Sequence, residues 1–176
     1  MKPSWLIDRK KPLDRNIRLV IPAMYDRFIA HSGRVINHPR LVDELHRMRI
    51  DGKPLRYLME LCHDQYGEEF RACLKDIKEM IELMGEVRDC DVFIPVIRQH
   101  LEEVRYFNRR MNTRSERISL RDLRQLVRTI RDRRSSLFQE MAGRLLSWQQ
   151  GGFKARLLNT LTPAVRPAAH ETLVSG

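Results

Sequence analysis

Gly67–Gly85 reads GEEFRACLKDIKEMIELMG, and the spacing of its apolar residues decides the fold class. Phe70, Leu74, Ile77, Ile81 and Met84 recur at intervals of three and four, which stacks side chains on one face of an α-helix; a strand, with its period of two, gives no such rhythm. Glu68 and Glu69 stand where the positive end of a helix dipole favours carboxylates, and Gly85 stands where a C-terminal cap is expected. Upstream, Leu41, Leu45, Met48, Leu55, Met59 and Cys62 form a second stripe that begins after His38-Pro39 and ends near His63. Ile17, Val20, Ile21, Met24 and Phe28 form another within 13–36, where Pro22 is expected to kink the helix or delay its start. Downstream, Asp89 or Asp91 is expected to cap a fourth helix carrying Val96, Ile97, Leu101 and Val104 towards residue 111, with Pro95 in its tolerant first turn. The polar link NTRSERIS then leads to a fifth helix with Leu120, Leu123, Val127, Ile130, Leu137 and Met141, ending near Trp148 before Gln149-Gln150-Gly151-Gly152. The expected fold is all-α, an antiparallel bundle of four to five long helices joined by short loops. Residues 1–12 are expected as an N-terminal extension, 13–148 as the helical domain, and 149–176 as a tail holding a short helix at most and otherwise disordered.

Length and composition agree with one globular domain. A chain of 176 residues buries enough surface to fold without metal or disulfide staples. With 42% hydrophobic and 32% charged residues, it is neither a disordered nor a membrane chain, and no apolar run approaches a membrane span. The opening MKPSWLIDRKKPLDR lacks the apolar segment and small-residue cleavage site of a secretory signal, so a cytoplasmic location is expected. Cys62, Cys73 and Cys90 are an odd number without a CxxC pair, which fits buried thiols in a reducing compartment. Met48, Met59, Met80 and Met84 read as packing residues.

Chemistry enters with charge. Against 23 acidic residues stand 33 Lys and Arg, a formal net charge of +10. On the second helix His46, Arg49, Lys53, Arg56 and Glu60 follow one another at three, four, three and four, a ridge along the edge of the apolar face. Each cation of such a ridge can reach a different phosphate, arginine with a bidentate fork and lysine as a point charge, and the imidazole can donate to a phosphate oxygen. A solvated helix face is the plainer reading of a charge run, and Glu60, four residues after Arg56, fits it. Arg71, Lys75 and Lys78 line up on the third helix, and Arg15, Arg18 and Arg27 lie off the apolar stripe of the first. Arg117, Arg121, Arg124, Arg128 and Arg131 make a secondary basic surface on the fifth helix. So unbalanced a stripe repels itself unless an anion or an acidic partner screens it.

Two segments narrow the reading. HRMRIDGKPLRYLMEL, from His46, followed by IKEMIELMGEVRDCDV, from Ile77, resembles the signature of the CHAD family, the conserved histidine α-helical domain. The residues that carry the likeness are His46, Arg49, Lys53, Leu55, Arg56 and Tyr57, then Lys78, Met84, Gly85, Arg88, Asp89, Asp91 and Val92; it covers about residues 13 to 110. The resemblance implies one half of a CHAD domain and non-enzymatic binding of inorganic polyphosphate in a basic groove, on granules of that polymer. His46, Arg49, Lys53 and Arg56 would form one wall and Lys78, with Arg18 or Lys75, the other. Tyr57 would anchor the ridge by packing, with its hydroxyl reaching the rim, and Arg88 and Asp89 would be a loop and cap pair. Family members carry two such units where this chain is long enough for one, so either a homodimer rebuilds the pair or one unit binds alone. Pro54 departs from the family pattern and threatens to bend the ridge between Lys53 and Arg56. The β-rich triphosphatase domain that accompanies some members has no counterpart here, so no catalysis and no cofactor is implied.

Other functions have less support in the sequence. A metal site would need an HxxxH or HExxH pair, and His31, His38 and His63 scatter around turns and helix ends. Neither a nucleophile elbow nor a glycine-rich phosphate loop occurs. Nonspecific RNA or DNA backbone binding is the main alternative, since the charge would attract any phosphate polymer; with 7% aromatics there is little to stack on bases. A helical adaptor for acidic proteins is the third reading, and no membrane role is expected because the amphipathic faces have partners within the chain.

Overall fold

A computed structural model describes Lys10 and residues 12–161; the expected N-terminal extension and disordered tail fall largely on the residues outside these. The elements are α1 (Leu13–Ile29), α2 (Ser32–Asn37), α3 (Val42–Cys62), α4 (Glu68–Arg110), α5 (Arg121–Gln150) and α6 (Phe153–Thr160), with single 3-10 turns at His63–Gln65 and Arg114–Glu116. Among the described residues there is no strand. The fold is the all-α bundle read from the sequence, with α3 antiparallel to α1 and to α4, and α4 antiparallel to α5.

α4 is the central rod. Phe70, Cys73, Ile77, Met80, Ile81, Met84 and Val87 are all buried, more than one stripe can hold, because α3, α5 and α6 pack around its first half. The third and fourth helices of the sequence reading are therefore one helix of 43 residues. Gly85 does not cap it, Asp89 and Asp91 do not start a new one, and Pro95 lies well inside it. Met84, Val87, Cys90, Ile94, Ile97 and Leu101 keep the helical rhythm across the glycine, so nothing stops the helix there. Asp91 instead receives Arg134 Nε of α5 at 2.5 Å.

Pro22 and Pro54 also sit inside helices without ending them. Each removes one backbone hydrogen bond, at a cost of about 3 kcal/mol relative to alanine in a helix interior. Burial of the residues around them, Ile21 and Tyr25 in α1 and Leu55 and Met59 in α3, offsets that cost, and Pro54 itself faces solvent. The expected first helix, 13–36, divides at Ala30 and His31 into α1 and α2. Leu41, expected on the α3 stripe, precedes that helix and is exposed.

Within the stretch expected as a tail, the short helix is α6. Gly152, at φ 66°, takes the left-handed conformation that glycine adopts without strain, and turns the chain into α6. There Phe153 stacks on Trp148 at 4.2 Å and on Tyr25 at 5.7 Å, and Leu157 and Leu161 complete the core. The cysteines are free and buried; burial pushes the Cys62 thiol up to about 11, so it is a packing group rather than a nucleophile.

One cluster of charges pins the turn between α1 and α3. Buried Glu44 accepts a hydrogen bond from His31 Nδ1 at 2.9 Å and pairs with Arg34 at 2.8 Å, while His31 Nε2 lies 3.4 Å from Asp51, which also holds Arg27. The His31 hydrogen bond, aided by Arg34 and Arg47, keeps the Glu44 carboxyl below its ordinary range. A depressed carboxylate stabilises the fold above its unfolded pKa, and that contribution disappears as pH falls through the folded value. Urea midpoints should therefore drop below about pH 4.5, and Glu44→Gln should lower the neutral-pH midpoint while flattening the acid limb; parallel curves for the two proteins would contradict this.

Candidate functional site

The ridge of α3 faces α4, and the antiparallel register sets Arg49 against Gly85, Gly52 against Ile81, and Arg56 against Glu82. Between them lies a cavity of about 410 Å³. Arg49, Lys53 and Arg56 line its α3 wall, with Tyr57 at the rim, and Glu82, Gly85, Glu86 and Asp89 line the α4 wall. Pro54 has not separated the cations.

Arg49 is the most unusual of them. A Cβ built at Gly85 would stand 3.3 Å from Arg49 Nη2 and 3.4 Å from Nε, so the guanidinium occupies the space that a side chain would fill. Its Nε is buried and has no hydrogen-bond partner among the described residues, and the same holds for His46 Nδ1, one turn earlier on the ridge. Lys53 likewise forms no ion pair among the described residues. A buried polar group left without a partner costs about 1–3 kcal/mol, more when charged, so this end of the groove is the one that carries unsatisfied polar groups.

The other end is already neutralised. Glu60 Oε1 accepts from Arg56 Nε at 3.0 Å and from Lys78 Nζ at 2.9 Å, and these two cations, Lys78 first, hold its carboxyl below the ordinary range. Arg56 Nη1 is also 3.8 Å from Glu82. On the α4 wall Glu86 is turned to Arg133 of α5 at 2.8 Å. The carboxylates thus position cations or are engaged from behind, and Asp89 alone of the α4 wall has no ion pair among the described residues.

Of the residues singled out in the sequence, the fold brings His46, Arg49, Lys53 and Arg56 onto one ridge, with Lys78 across from Arg56. Lys75 is exposed and lies 3.9 Å from Glu79, which pairs with Arg144 of α5. Arg18 acts on Tyr66, beyond the end of α3. Neither lines the groove. Tyr57 is exposed at the rim rather than packed, and Arg88 and Asp89, on an unbroken helix, are no loop and cap pair. Arg124, Arg128 and Arg131 line a separate cavity between α4 and α5, which Arg117 and Arg121 do not line. The reading missed the Glu60 clamp on Lys78 and the space that Gly85 leaves for Arg49. The unbroken rhythm through Gly85 was the available signal for the second; nothing in one sequence carries the register that makes the first.

Among the described residues no group of three His, Cys, Asp or Glu could hold a metal ion, and no helix is long and apolar enough to cross a membrane. No curated protein and no solved structure matches the chain. The family model of the CHAD domain matches residues 2–98, more than half of its length and the part that contains both walls of the groove.

Proposed function

Since the chain belongs to the CHAD family, we propose that it binds inorganic polyphosphate, without transforming it, in the groove between α3 and α4. The observation that carries this reading is the buried, unpaired Arg49 Nε lying against Gly85. A phosphate oxygen is the acceptor that fits it, and the neighbouring His46 Nδ1 and Lys53 offer contacts to the same or the next phosphate. Arg56 and Lys78, shared with Glu60, take the chain onward along the ridge. Binding displaces the polymer's counterions, so affinity falls as salt rises. The same reading puts the protein in the cytoplasm on polyphosphate granules.

Calorimetric titration with long-chain polyphosphate, beside single-stranded RNA and duplex DNA at matched phosphate concentration and about 150 mM salt, tests it, because weak surface electrostatics is largely screened there. Preferential binding of polyphosphate supports the groove. Equal or tighter nucleic-acid binding would make net charge the determinant and replace this reading with the nucleic-acid one.

Gly85→Ala separates site from scaffold. Alanine is favoured over glycine by about 1 kcal/mol in a helix interior, and the new methyl meets only the flexible end of Arg49. Thermal stability should hold or rise slightly, while polyphosphate affinity falls about three- to tenfold as the guanidinium is pushed from its seat. Unchanged affinity with a displaced Arg49 would remove that residue from the site.

A further inference from the structure

We propose that the cleft between the second half of α4 and the first half of α5 is a second anion site, one that takes a small, multiply phosphorylated molecule. Arg98 and Arg105 of α4 face Arg124, Arg128 and Arg131 of α5 across a cavity of about 610 Å³. Its floor is Leu101 and Val127, both buried. Among the described residues only Arg105 of the five has a carboxylate partner, Glu102.

Like charges three and four residues apart on a helix repel, and here two helices add their charges across one gap. Leu101 and Val127 are buried at the base of the gap, and two ion pairs join α5 to α4 at the bundle end of the cleft. These are Arg134 with Asp91 at 2.5 Å and Arg133 with Glu86 at 2.8 Å. Solvent and salt screen these exposed guanidiniums in part, and a bound polyanion neutralises the four that have no carboxylate partner more completely.

Size and charge density indicate which anion. The volume falls within the range of about 300–1,000 Å³ typical of small-molecule sites. The stretches 98–105 and 124–131 are each two turns, about 10 Å long, so the charge is concentrated rather than drawn out for a long polymer. Guanidinium forks match phosphoryl oxygens in pairs, and several phosphoryl groups on one compact molecule supply the needed charges. The cleft lies about half a turn round α4 from the groove, and four of its five arginines fall beyond the stretch matched by the family model. It therefore stands independently of the polyphosphate reading.

Titration of the full chain with inorganic triphosphate and, separately, with ATP at about 150 mM salt tests the proposal. At least one should bind, ATP the more tightly if the natural ligand is a nucleotide and triphosphate if it is inorganic. Arg124→Ala/Arg128→Ala, both exposed positions, should weaken that binding at least tenfold with the circular-dichroism spectrum intact. Arg128→Lys, which keeps the charge and loses the fork, should give an intermediate loss. Failure of both small anions to bind overturns the assignment, as does tighter binding of a twenty-nucleotide single-stranded RNA at equal phosphate concentration. If triphosphate binding survives the double substitution and is lost in Arg49→Ala, the anion lies in the groove; the cleft proposal then falls while the groove reading stands.

Discussion

Arg49→Ala/Arg56→Ala should lower the affinity for long-chain polyphosphate by a hundredfold or more and leave the helical spectrum unchanged. A hydrogen bond to a charged group contributes about 1.5–3 kcal/mol, so two lost guanidiniums remove at least about 3 kcal/mol, or two decades in Kd. The two contributions are unequal. Arg49 has no other partner among the described residues and gives its full capacity to the ligand, whereas Arg56 divides its attention between Glu60 and Glu82. Arg49→Ala alone should account for most of the loss. Removing Arg56 does not orphan Glu60, because Lys78 stays 2.9 Å away, so the double variant remains folded and the comparison stays clean. A change of less than threefold would show that the groove is not where the polymer binds.

Gly52→Val should be the most damaging small substitution in the bundle, costing about 3 kcal/mol, with Gly52→Ala costing about 2. A Cβ at this position would lie 2.8 Å from Phe28 Cε2, 2.9 Å from Cδ2 and 3.2 Å from Ile81 Cγ1. Phe28 is fully buried and Ile81 nearly so, so neither can swing aside, and the gain of about 1 kcal/mol in helix propensity is outweighed. Chemical denaturation measures the loss directly, and a shift of about 2–4 °C in Tm per kcal/mol is expected for a chain of this size. In a Phe28→Leu background the Gly52→Ala penalty should shrink, since the clashing ring atoms are gone; equal penalties in both backgrounds would place the strain elsewhere. Because Lys53 follows Gly52, this contact also sets how closely the cation ridge approaches α4.

The two glycines explain what could and could not be read beforehand. The α3 ridge was legible because His46, Arg49, Lys53 and Arg56 obey the period of a single helix, and local geometry alone brings them together. Gly85 was misread because a glycine after an amphipathic run with an acidic start is the usual sign of a left-handed cap; here it serves space, not conformation, and among the described residues the only positive φ belongs to Gly152. The clamp of Glu60 on Lys78 joins residues on different helices, and its register follows from packing that no periodicity encodes. α6 is the short helix allowed for in the tail, and its docking could not be read for a similar reason: eight residues cannot sustain a helix alone, and stacking on Trp148 and Tyr25 with burial of Leu157 and Leu161 holds this one in place.

The length of α4 has a last consequence. Its hydrogen-bonded backbone is continuous, yet its side chains are held very unevenly: from Phe70 to Cys90 the helix is packed on several sides, and from Asp91 to Arg110 Leu101 is its only buried residue. Opening is cheap where few apolar contacts must be broken. The helix should therefore fray from its C-terminal end before the half that carries Gly85 opens, an order that amide hydrogen exchange would read directly. The groove is thus built on the densely packed half of α4 and the arginine cleft on its sparsely packed arm, so an anion seated in the cleft would act as a clasp on the arm, and one in the groove would meet a surface already fixed.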